Sequence, residues 1–311
     1  MANAVILACE MIEDEVRLAL EVVPPDRRPP LVWVESGLHE RPERLRKVLQ
    51  GLLDRLDLGV ESGASVALPS VKPGRGPADG RRQDVQVEPA DEVILALGFC
   101  GSALQGLSAK HLSIVFPRVD DCISLFLNQG CTREEIPRDP RHYYLTRGWF
   151  NHESSLQEMF QDWDERYGSE RAARLRKTMF ASYEQVSLID TRAYDVEECL
   201  SDSRLVADGL QLDHGVVEGS VQLLERLFNG ERGGEIVVVP PEATIDFTHL
   251  VCSTERGIVA DVESGITPDG PGESIQHLVS VTGAVREVTA SAEAADHASS
   301  GKQKGAEVCT N

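Results

Sequence analysis

Short runs of consecutive apolar residues constrain the fold of this chain more than any other feature of its sequence. Such runs are typical of strands in a parallel sheet that helices cover on both faces. Amphipathic helical patterns separate the runs, as a sheet of this type requires. The alternation predicts an α/β fold: an open, mostly parallel sheet with helices on both faces, in a Rossmann-like three-layer sandwich. The predicted strands are residues 4–8, 31–34, 93–97, 112–116, 186–189 and 236–239.

The helical patterns and two unusual segments define the expected domain organisation. Leucines recur on one face of residues 42–56, and residues 151–183 are mostly of helical type. We expect a single α/β domain over residues 1–255. Within it, segment 63–90 is rich in proline and glycine and has little to bury, which predicts a surface-loop insertion. Residues 256–311 are rich in serine, alanine, glycine and acids, which predicts a low-complexity, largely disordered tail.

The net charge of the chain limits the kinds of molecule that it is expected to bind. The 311 residues include 31 basic and 51 acidic side chains, a formal net charge of −20. A surface this acidic repels phosphate backbones and anionic lipid, so we expect neither a nucleic-acid nor a membrane partner. The apolar runs fall far short of the roughly 20 residues that cross a bilayer, and the first residues lack the basic leader of a secretion signal. The sequence therefore predicts a cytoplasmic protein.

The sequence lacks the motifs of several large enzyme classes. It contains no glycine-rich dinucleotide turn after a strand, no phosphate-binding P-loop, no zincin motif and no GxSxG nucleophile elbow. Its seven cysteines are odd in number and no two are spaced as CxxC. This disfavours a disulfide framework and a zinc ribbon, so a cysteine site must be assembled from distant segments.

Three of the cysteines follow predicted strands. Cys9 follows the first strand, Cys100 the third and Cys122 the fourth, and His39 lies after the second. Ligands bind beyond the carboxyl ends of the strands in open parallel sheets, so we expect these side chains to meet at one edge. Cysteine thiolates, completed by an imidazole or a small molecule, suit zinc, iron or an iron–sulfur cluster. Cys9, Cys100, Cys122 and His39 are therefore the predicted metal ligands.

Two other interpretations of the same residues remain open. Cys100 could be the nucleophile of a metal-independent thiol enzyme, with His39 as its base. In that case a following helix N-terminus is expected to lower the pKa of Cys100. Gly98 and Gly101 flank this cysteine and allow close approach of the backbone to a cofactor or substrate. Alternatively, the cysteines are small buried hydrophobic residues of a non-catalytic ligand-binding module.

Further residues are predicted at the same edge of the sheet. Arg118 follows the fourth strand and could orient an anionic substrate in catalysis. Tyr144, Thr146 and Trp149 lie in the most aromatic stretch of a chain with few aromatic residues. We expect them either to form the wall of a ligand pocket or to pack as a lid. Glu10, next to Cys9, could be a hard ligand, a base or an ordinary partner of a helix dipole.

In these stretches the chain resembles a bacterial and archaeal family known as domain of unknown function 1638. The resemblance implies no established reaction, and segment 63–90 looks like an addition to the family pattern. Family members often occur in gene settings with corrinoid-dependent methyl transfer, which implies a metal-handling or accessory role. The resemblance rests on Ala8-Cys9-Glu10, on Gly37 to Gln50, on Leu97-Gly98-Phe99-Cys100-Gly101 with Gly106-Leu107, on Phe116 to Ile123, and on Tyr144 to Trp149.

Residues and resemblance together lead to one expectation. We expect a metal- or iron–sulfur-binding protein whose three-cysteine site lies at the carboxyl edge of a parallel sheet. Zinc and iron are the expected cofactors. The expected partners are a small-molecule ligand or metal and a corrinoid-dependent methyltransferase system. The sequence leaves open whether the protein is an enzyme.

Overall fold

Ten strands and ten α-helices lie in the part of the chain that the computed structural model describes, residues 3–74, 78–151 and 156–251. The strands are β1 (Ala4–Cys9), β2 (Leu31–Val34), β3 (Val66–Val71), β4 (Arg82–Val87), β5 (Glu92–Ala96), β6 (Ser113–Pro117), β7 (His142–Leu145), β8 (Gln185–Asp190), β9 (Asp213–Glu218) and β10 (Ile236–Val239). The helices are α1 (Glu13–Ala19), α2 (Pro42–Ser62), α3 (Ala78–Arg81), α4 (Cys122–Leu127), α5 (Gly148–Asn151), α6 (Leu156–Tyr167), α7 (Ser169–Met179), α8 (Glu197–Leu210), α9 (Gln222–Phe228) and α10 (Thr248–Val251).

Five strands form the main sheet, in the order β10–β6–β5–β1–β2. All neighbours are parallel except β10, which runs antiparallel to β6. Successive side chains of a strand face opposite sides of the sheet. In β1, Val5 and Leu7 pack in one core cluster with leucines of α2, whereas Ile6 and Ala8 pack in another with Val16 of α1. The strands are apolar throughout because both faces are covered, and the predicted α/β sandwich is confirmed.

A second parallel sheet contains β7, β8 and β9 in that order. The apolar run 186–189 was expected in the main sheet, but this assignment is wrong because β8 pairs with β7 and β9. Neither β7 nor β9 stands out as an apolar run, since each contains polar residues such as His142 and Asp213. Helices α6 and α7 fill most of the stretch 151–183, where the sequence predicts helix.

The described residues of segment 63–90 form a β-ribbon rather than the predicted surface loop. Its two strands, β3 and β4, pair antiparallel along their full length. Leu68 and Val87 are buried, and the backbone amide of Trp33 in β2 donates to Ser70 Oγ at 2.9 Å. The ribbon therefore packs beside the edge strand of the main sheet, where an uncovered edge is a liability. Its few buried side chains stand among prolines and glycines, which obscures the strand pattern in the sequence.

Two further predictions concern the C-terminal tail and helices that could cross a membrane. The predicted tail, residues 256–311, lies outside the described residues. Among the helices in the described ranges, none is long and apolar enough to cross a bilayer. The longest, α2, spans 21 residues but turns charged side chains such as Glu43 and Arg44 to solvent.

Candidate functional site

The order of the main sheet reverses between β1 and β5. The chain runs from β1 outward to β2 and then returns to β5 on the other side of β1. Such a reversal opens a crevice beyond the carboxyl ends of the two strands, where α/β proteins bind ligands. Cys9 is the last residue of β1, and Cys100 follows β5 after a short loop. Two of the predicted site residues thus flank the reversal.

The third cysteine joins them from the neighbouring strand. Cys122 is the first residue of α4, which follows β6. Burial raises the pKa of Cys122 well above its ordinary value, and the nearby Asp121, Cys100 and Cys9 raise it further. Electrostatic effects of this kind require that the groups be near neighbours. The three predicted cysteines therefore lie beyond the carboxyl ends of three adjacent parallel strands, at one edge of the sheet.

Burial also raises the pKa of the other two thiols. The pKa of Cys9 rises to about 12, and that of Cys100 rises further still, with contributions from Cys9 and Asp121. The three thiols are therefore protonated at neutral pH as the protein stands. The expectation that a helix N-terminus lowers the pKa of Cys100 is wrong. A three-residue 3-10 turn begins at Cys100 in place of a long helix, so little dipole opposes the burial.

The loop that carries Cys100 is held in an unusual conformation. Cys100 has a φ of 46°, in the left-handed region that non-glycine residues rarely adopt. Its amide donates to the Asp120 carbonyl at 2.7 Å. A Cβ on Gly98 would lie 2.5 Å from the Cα of Asp121, so only glycine allows this approach. Arg46 of α2 holds the other end of this loop, because its guanidinium donates to the Ser102 carbonyl at 2.6 Å. Backbone strain of this kind is concentrated at functional sites.

His39 lies on the turn that follows β2. The ring of His39 packs edge-to-face against Trp149, with 6.0 Å between ring centroids. Burial lowers the pKa of His39, and the nearby carboxylate of Asp121 raises it to a smaller extent. His39 is therefore neutral at pH 7, the form that can bind a metal or accept a proton. His39 follows the carboxyl end of β2, which is parallel to β1, and so lies at the same edge of the sheet as the cysteines.

The turn after β7 packs against the turn after β1. A Cβ on Gly148 would lie 1.8 Å from the carbonyl oxygen of Met11, which shows how close the two backbones are. On this turn, Thr146 Oγ1 and Trp149 Nε1 are buried and have no hydrogen-bond partner among the residues that the structure describes. Buried polar atoms usually form a hydrogen bond. Two such atoms without a partner, beside a crevice, are therefore candidates for hydrogen bonds to a ligand.

Tyr144 and Arg118 both form hydrogen bonds with other residues of the chain. The amide of Asp139 donates to the Tyr144 hydroxyl at 3.0 Å. Arg118 is buried beside Glu235, which directly precedes β10, and its amide donates to the Glu235 carbonyl at 2.7 Å. Burial raises the pKa of Glu235, and the Arg118 guanidinium lowers it. Arg118 therefore faces a carboxylate of the chain, and its predicted role with an anionic ligand stays a prediction.

Glu15 of α1 is a site residue that the sequence interpretation missed. Its side chain is buried, and the Thr191 hydroxyl donates to Glu15 Oε1 at 3.0 Å. Burial raises the pKa of Glu15 to about 7, with opposing contributions from Thr191 and Arg147. Glu15 in turn raises the pKa of Cys122. A signal was present, because Glu15 lies one helical turn after Met11 and before Ala19, on the apolar face of the helix.

The side chains are not arranged as a finished metal site. Within the described ranges, no three His, Cys, Asp or Glu residues have the mutual geometry to hold a metal ion. Cys9, Cys100 and Cys122 form no such group in this part of the chain. Their role as ligands therefore stays a prediction.

Comparisons with known proteins give a family and nothing more. A family model described as "Protein of unknown function (DUF1638)" matches residues 33–228. The matched range includes His39, Cys100, Cys122 and Trp149. The chain matches neither a curated protein nor a solved structure.

Proposed function

This chain belongs to DUF1638, a family of proteins of unknown function, and on that premise we propose that it binds a metal through Cys9, Cys100 and Cys122. The observation that supports the proposal is the position of the three cysteines beyond the carboxyl ends of adjacent parallel strands, beside the reversal of the main sheet. Three sulfur ligands from three separate strand ends suit zinc, iron or an iron–sulfur cluster. Such a group would supply Lewis-acid or electron-transfer chemistry when bound.

The charges around the thiols favour a cation. Asp121 raises the pKa of Cys122, so its carboxylate contributes negative potential at the thiol, and Arg138 Nη1, 2.7 Å from Asp121 Oδ2, offsets part of it. A divalent cation would offset this potential, and the thiols would release protons as they coordinate it. Metal affinity should therefore increase with pH.

The same electrostatics disfavour the metal-independent thiol enzyme. A nucleophilic cysteine must reach the thiolate state, and burial raises the pKa of Cys100 far above neutrality. His39, neutral at pH 7, fits either interpretation, as a fourth ligand or as a base. Coordination removes the thiol proton without requiring a low intrinsic pKa, so the metal proposal is the better supported of the two.

The turn after β7 carries two buried polar atoms that are available to a small-molecule ligand. Thr146 Oγ1 and Trp149 Nε1 could each bond a polar ligand that completes the coordination shell. From the family resemblance we propose that the protein acts in the cytoplasm beside corrinoid-dependent methyl transfer, with no nucleic-acid or membrane partner. Tyr144 would support the pocket wall through its bond to the Asp139 amide, rather than contact the ligand with its hydroxyl.

Metal content is the decisive measurement. We would purify the wild-type protein and the Cys9→Ser, Cys100→Ser and Cys122→Ser variants without oxygen, and measure zinc and iron by elemental analysis. Cys131→Ser is the matched control, because it removes a free thiol that does not contribute to the pKa shifts of the other three. We expect near-stoichiometric metal in the wild type and in the control. Each cluster variant should bind metal at least about 100-fold more weakly, more than an outer-shell change typically costs.

Two outcomes would contradict the proposal. One is a metal-free wild-type protein that takes up neither Zn²⁺ nor Fe²⁺ at pH 8. The other is equal metal loss in the Cys131→Ser control. In either case, selective and fast reaction of Cys100 with iodoacetamide would favour the thiol enzyme, and slow reaction of every thiol would favour the ligand-binding module.

A further inference from the structure

A buried carboxylate lies directly after the first predicted ligand. Glu10 follows Cys9 and is fully buried. Its Oε1 accepts from the Ser36 amide at 2.9 Å, and its Oε2 accepts from Arg81 Nη1 at 2.6 Å. A second guanidinium nitrogen, Arg81 Nη2, lies 3.3 Å from Oε1. Glu10 therefore joins the turn after β1 to the loop after β2, which carries His39.

The cation that balances Glu10 comes from the ribbon of residues 63–90. Arg81 ends α3 and directly precedes β4, and only 15% of its side chain is exposed. Its Nη1 also donates to the Lys72 carbonyl, and the Lys72 amide donates to the Arg81 carbonyl at 2.8 Å. The ribbon is itself anchored to β2 through Ser70 and Trp33. Arg81 is thus held against the carboxylate by hydrogen bonds of both its side chain and its backbone.

Covering the edge of the main sheet does not require this ion pair. Leu68 and Val87 already bury the ribbon against the core. A carboxylate taken out of water is costly unless it is paired and hydrogen-bonded, so Arg81 determines whether Glu10 can stay inside. If Glu10 moves, the two loops that share it move as well.

We infer that Arg81 is a positioning residue: by pairing with buried Glu10 it fixes Cys9 and the His39 loop at the carboxyl edge of the main sheet. The role of Cys9 and His39 as ligands rests on the proposed function, whereas the positioning does not. Segment 63–90 then supports the site, in addition to covering the edge of the main sheet.

Two readouts test the inference separately from the metal proposal. The first is the alkylation rate of Cys9 in the whole protein, measured by mass spectrometry of its peptide, which needs no metal. We expect about tenfold faster alkylation in Arg81→Met than in the wild type, because the turn opens locally. The second is Zn²⁺ affinity against a chromophoric chelator, which should fall about 10- to 100-fold, as for an outer-shell residue.

The neighbouring arginine provides a matched control. Arg82 pairs with exposed Asp79 and is itself largely exposed, so Arg82→Met should leave both readouts within twofold of the wild type. Arg81→Lys retains the charge and should recover most of the wild-type alkylation rate. Buried Cys199 reports general loosening of the fold, and its alkylation rate should stay unchanged in Arg81→Met.

Two results would overturn the inference. One is a Cys9 alkylation rate in Arg81→Met that equals the wild-type rate. The other is an equal rise for Cys9 and Cys199, which would make Arg81 a general stability residue. A wild-type protein that binds no Zn²⁺ would refute the proposed function, and the Cys9 rates would still decide the role of Arg81.

Discussion

The two parallel sheets of this molecule differ in how they are covered and in what lies at their carboxyl edges. The main sheet is buried on both faces and ends in cysteines and buried acids. The second sheet is partly open, and Val216 of β9 is 47% exposed. Its edge opens into a cleft of about 360 Å³ whose lining includes Thr191, Ser220 and Gln222. One edge therefore carries thiols, and the other carries hydroxyls and amides together with the charged side chains of Arg192, Glu218 and Glu225.

The two edges are nevertheless connected through α1. Asp14 of this helix accepts from Arg147 Nε at 2.8 Å, and Glu15 accepts from Thr191, so adjacent residues reach the ends of β7 and β8. Thr191 directly follows β8, and Arg147 lies two residues after the end of β7. The cysteine edge therefore depends on the second sheet for its support, although the second sheet provides none of the three thiols.

The largest effect should come from the contact between the two turns. Gly148→Ala places a Cβ 1.8 Å from the Met11 carbonyl oxygen, a backbone atom that cannot rotate away. We expect the free energy of unfolding to fall by about 3 kcal/mol or more, at the upper end for overpacking. Urea unfolding followed by circular dichroism would measure it.

A glycine of the second sheet provides the control for this substitution. In Gly215→Ala the new Cβ would meet Gln185 Nε2 at 2.7 Å, the end of a flexible side chain that can turn aside. The free energy of unfolding should change by less than about 1 kcal/mol. Equal losses in the two variants would show that the turns do not support each other as described.

The difference in burial also explains which strands the sequence predicted. In β1 and β5 every residue between the ends faces a covered surface, so the apolar runs are continuous and easily recognised. In β9 no residue is fully buried, and the polar Asp213, His214 and Glu218 break the pattern. Assignment of β8 to the wrong sheet has a similar cause, because an apolar run carries no information about its neighbours.

The candidate site was predictable where it follows from strand order. Cys9, Cys100 and Cys122 could be placed at one edge because each follows an apolar run. The place of Glu15 on the apolar face of its helix indicates burial, but the partners of Glu15 and Arg81 could not be assigned from the sequence. Their importance comes from burial and pairing over long sequence separations, 176 residues for Glu15 with Thr191 and 71 for Arg81 with Glu10.

The contrast between the sheets predicts unequal costs for truncated side chains. Leu95 of β5 is fully buried, so Leu95→Ala should cost about 3 kcal/mol through lost burial and the cavity that remains. Val216→Ala in β9 removes a side chain that is already half in solvent, and should cost less than about 0.5 kcal/mol. Chemical unfolding of both variants under the same conditions would measure the difference. Similar costs would indicate that β9 is covered in solution.

A smaller effect should appear in the pH dependence of the free energy of unfolding, through Glu15, which links the two sheets. Burial is the main cause that raises the pKa of Glu15 to about 7 from its ordinary value of 4.5. Below pH 4.5 the carboxyl is protonated in both the folded and the unfolded chain. Between pH 4.5 and 7 the unfolded chain releases this proton while the folded protein keeps it. Glu15 therefore lowers the free energy of unfolding as the pH rises through this window, and the loss is complete above about pH 7.

Replacement of the carboxyl by an amide should remove this dependence. Glu15→Gln keeps an oxygen that can accept from Thr191 but cannot ionise. Its advantage in free energy of unfolding over the wild type should grow by on the order of 2 kcal/mol from pH 5 to pH 8, since one pKa unit corresponds to about 1.4 kcal/mol. Glu21→Gln, which removes an exposed carboxylate just beyond the same helix, is the control. If the difference between Glu15→Gln and wild type stayed constant over this range, Glu15 would be ionised in the folded protein, and the link between the two sheets would be an ordinary charged hydrogen bond.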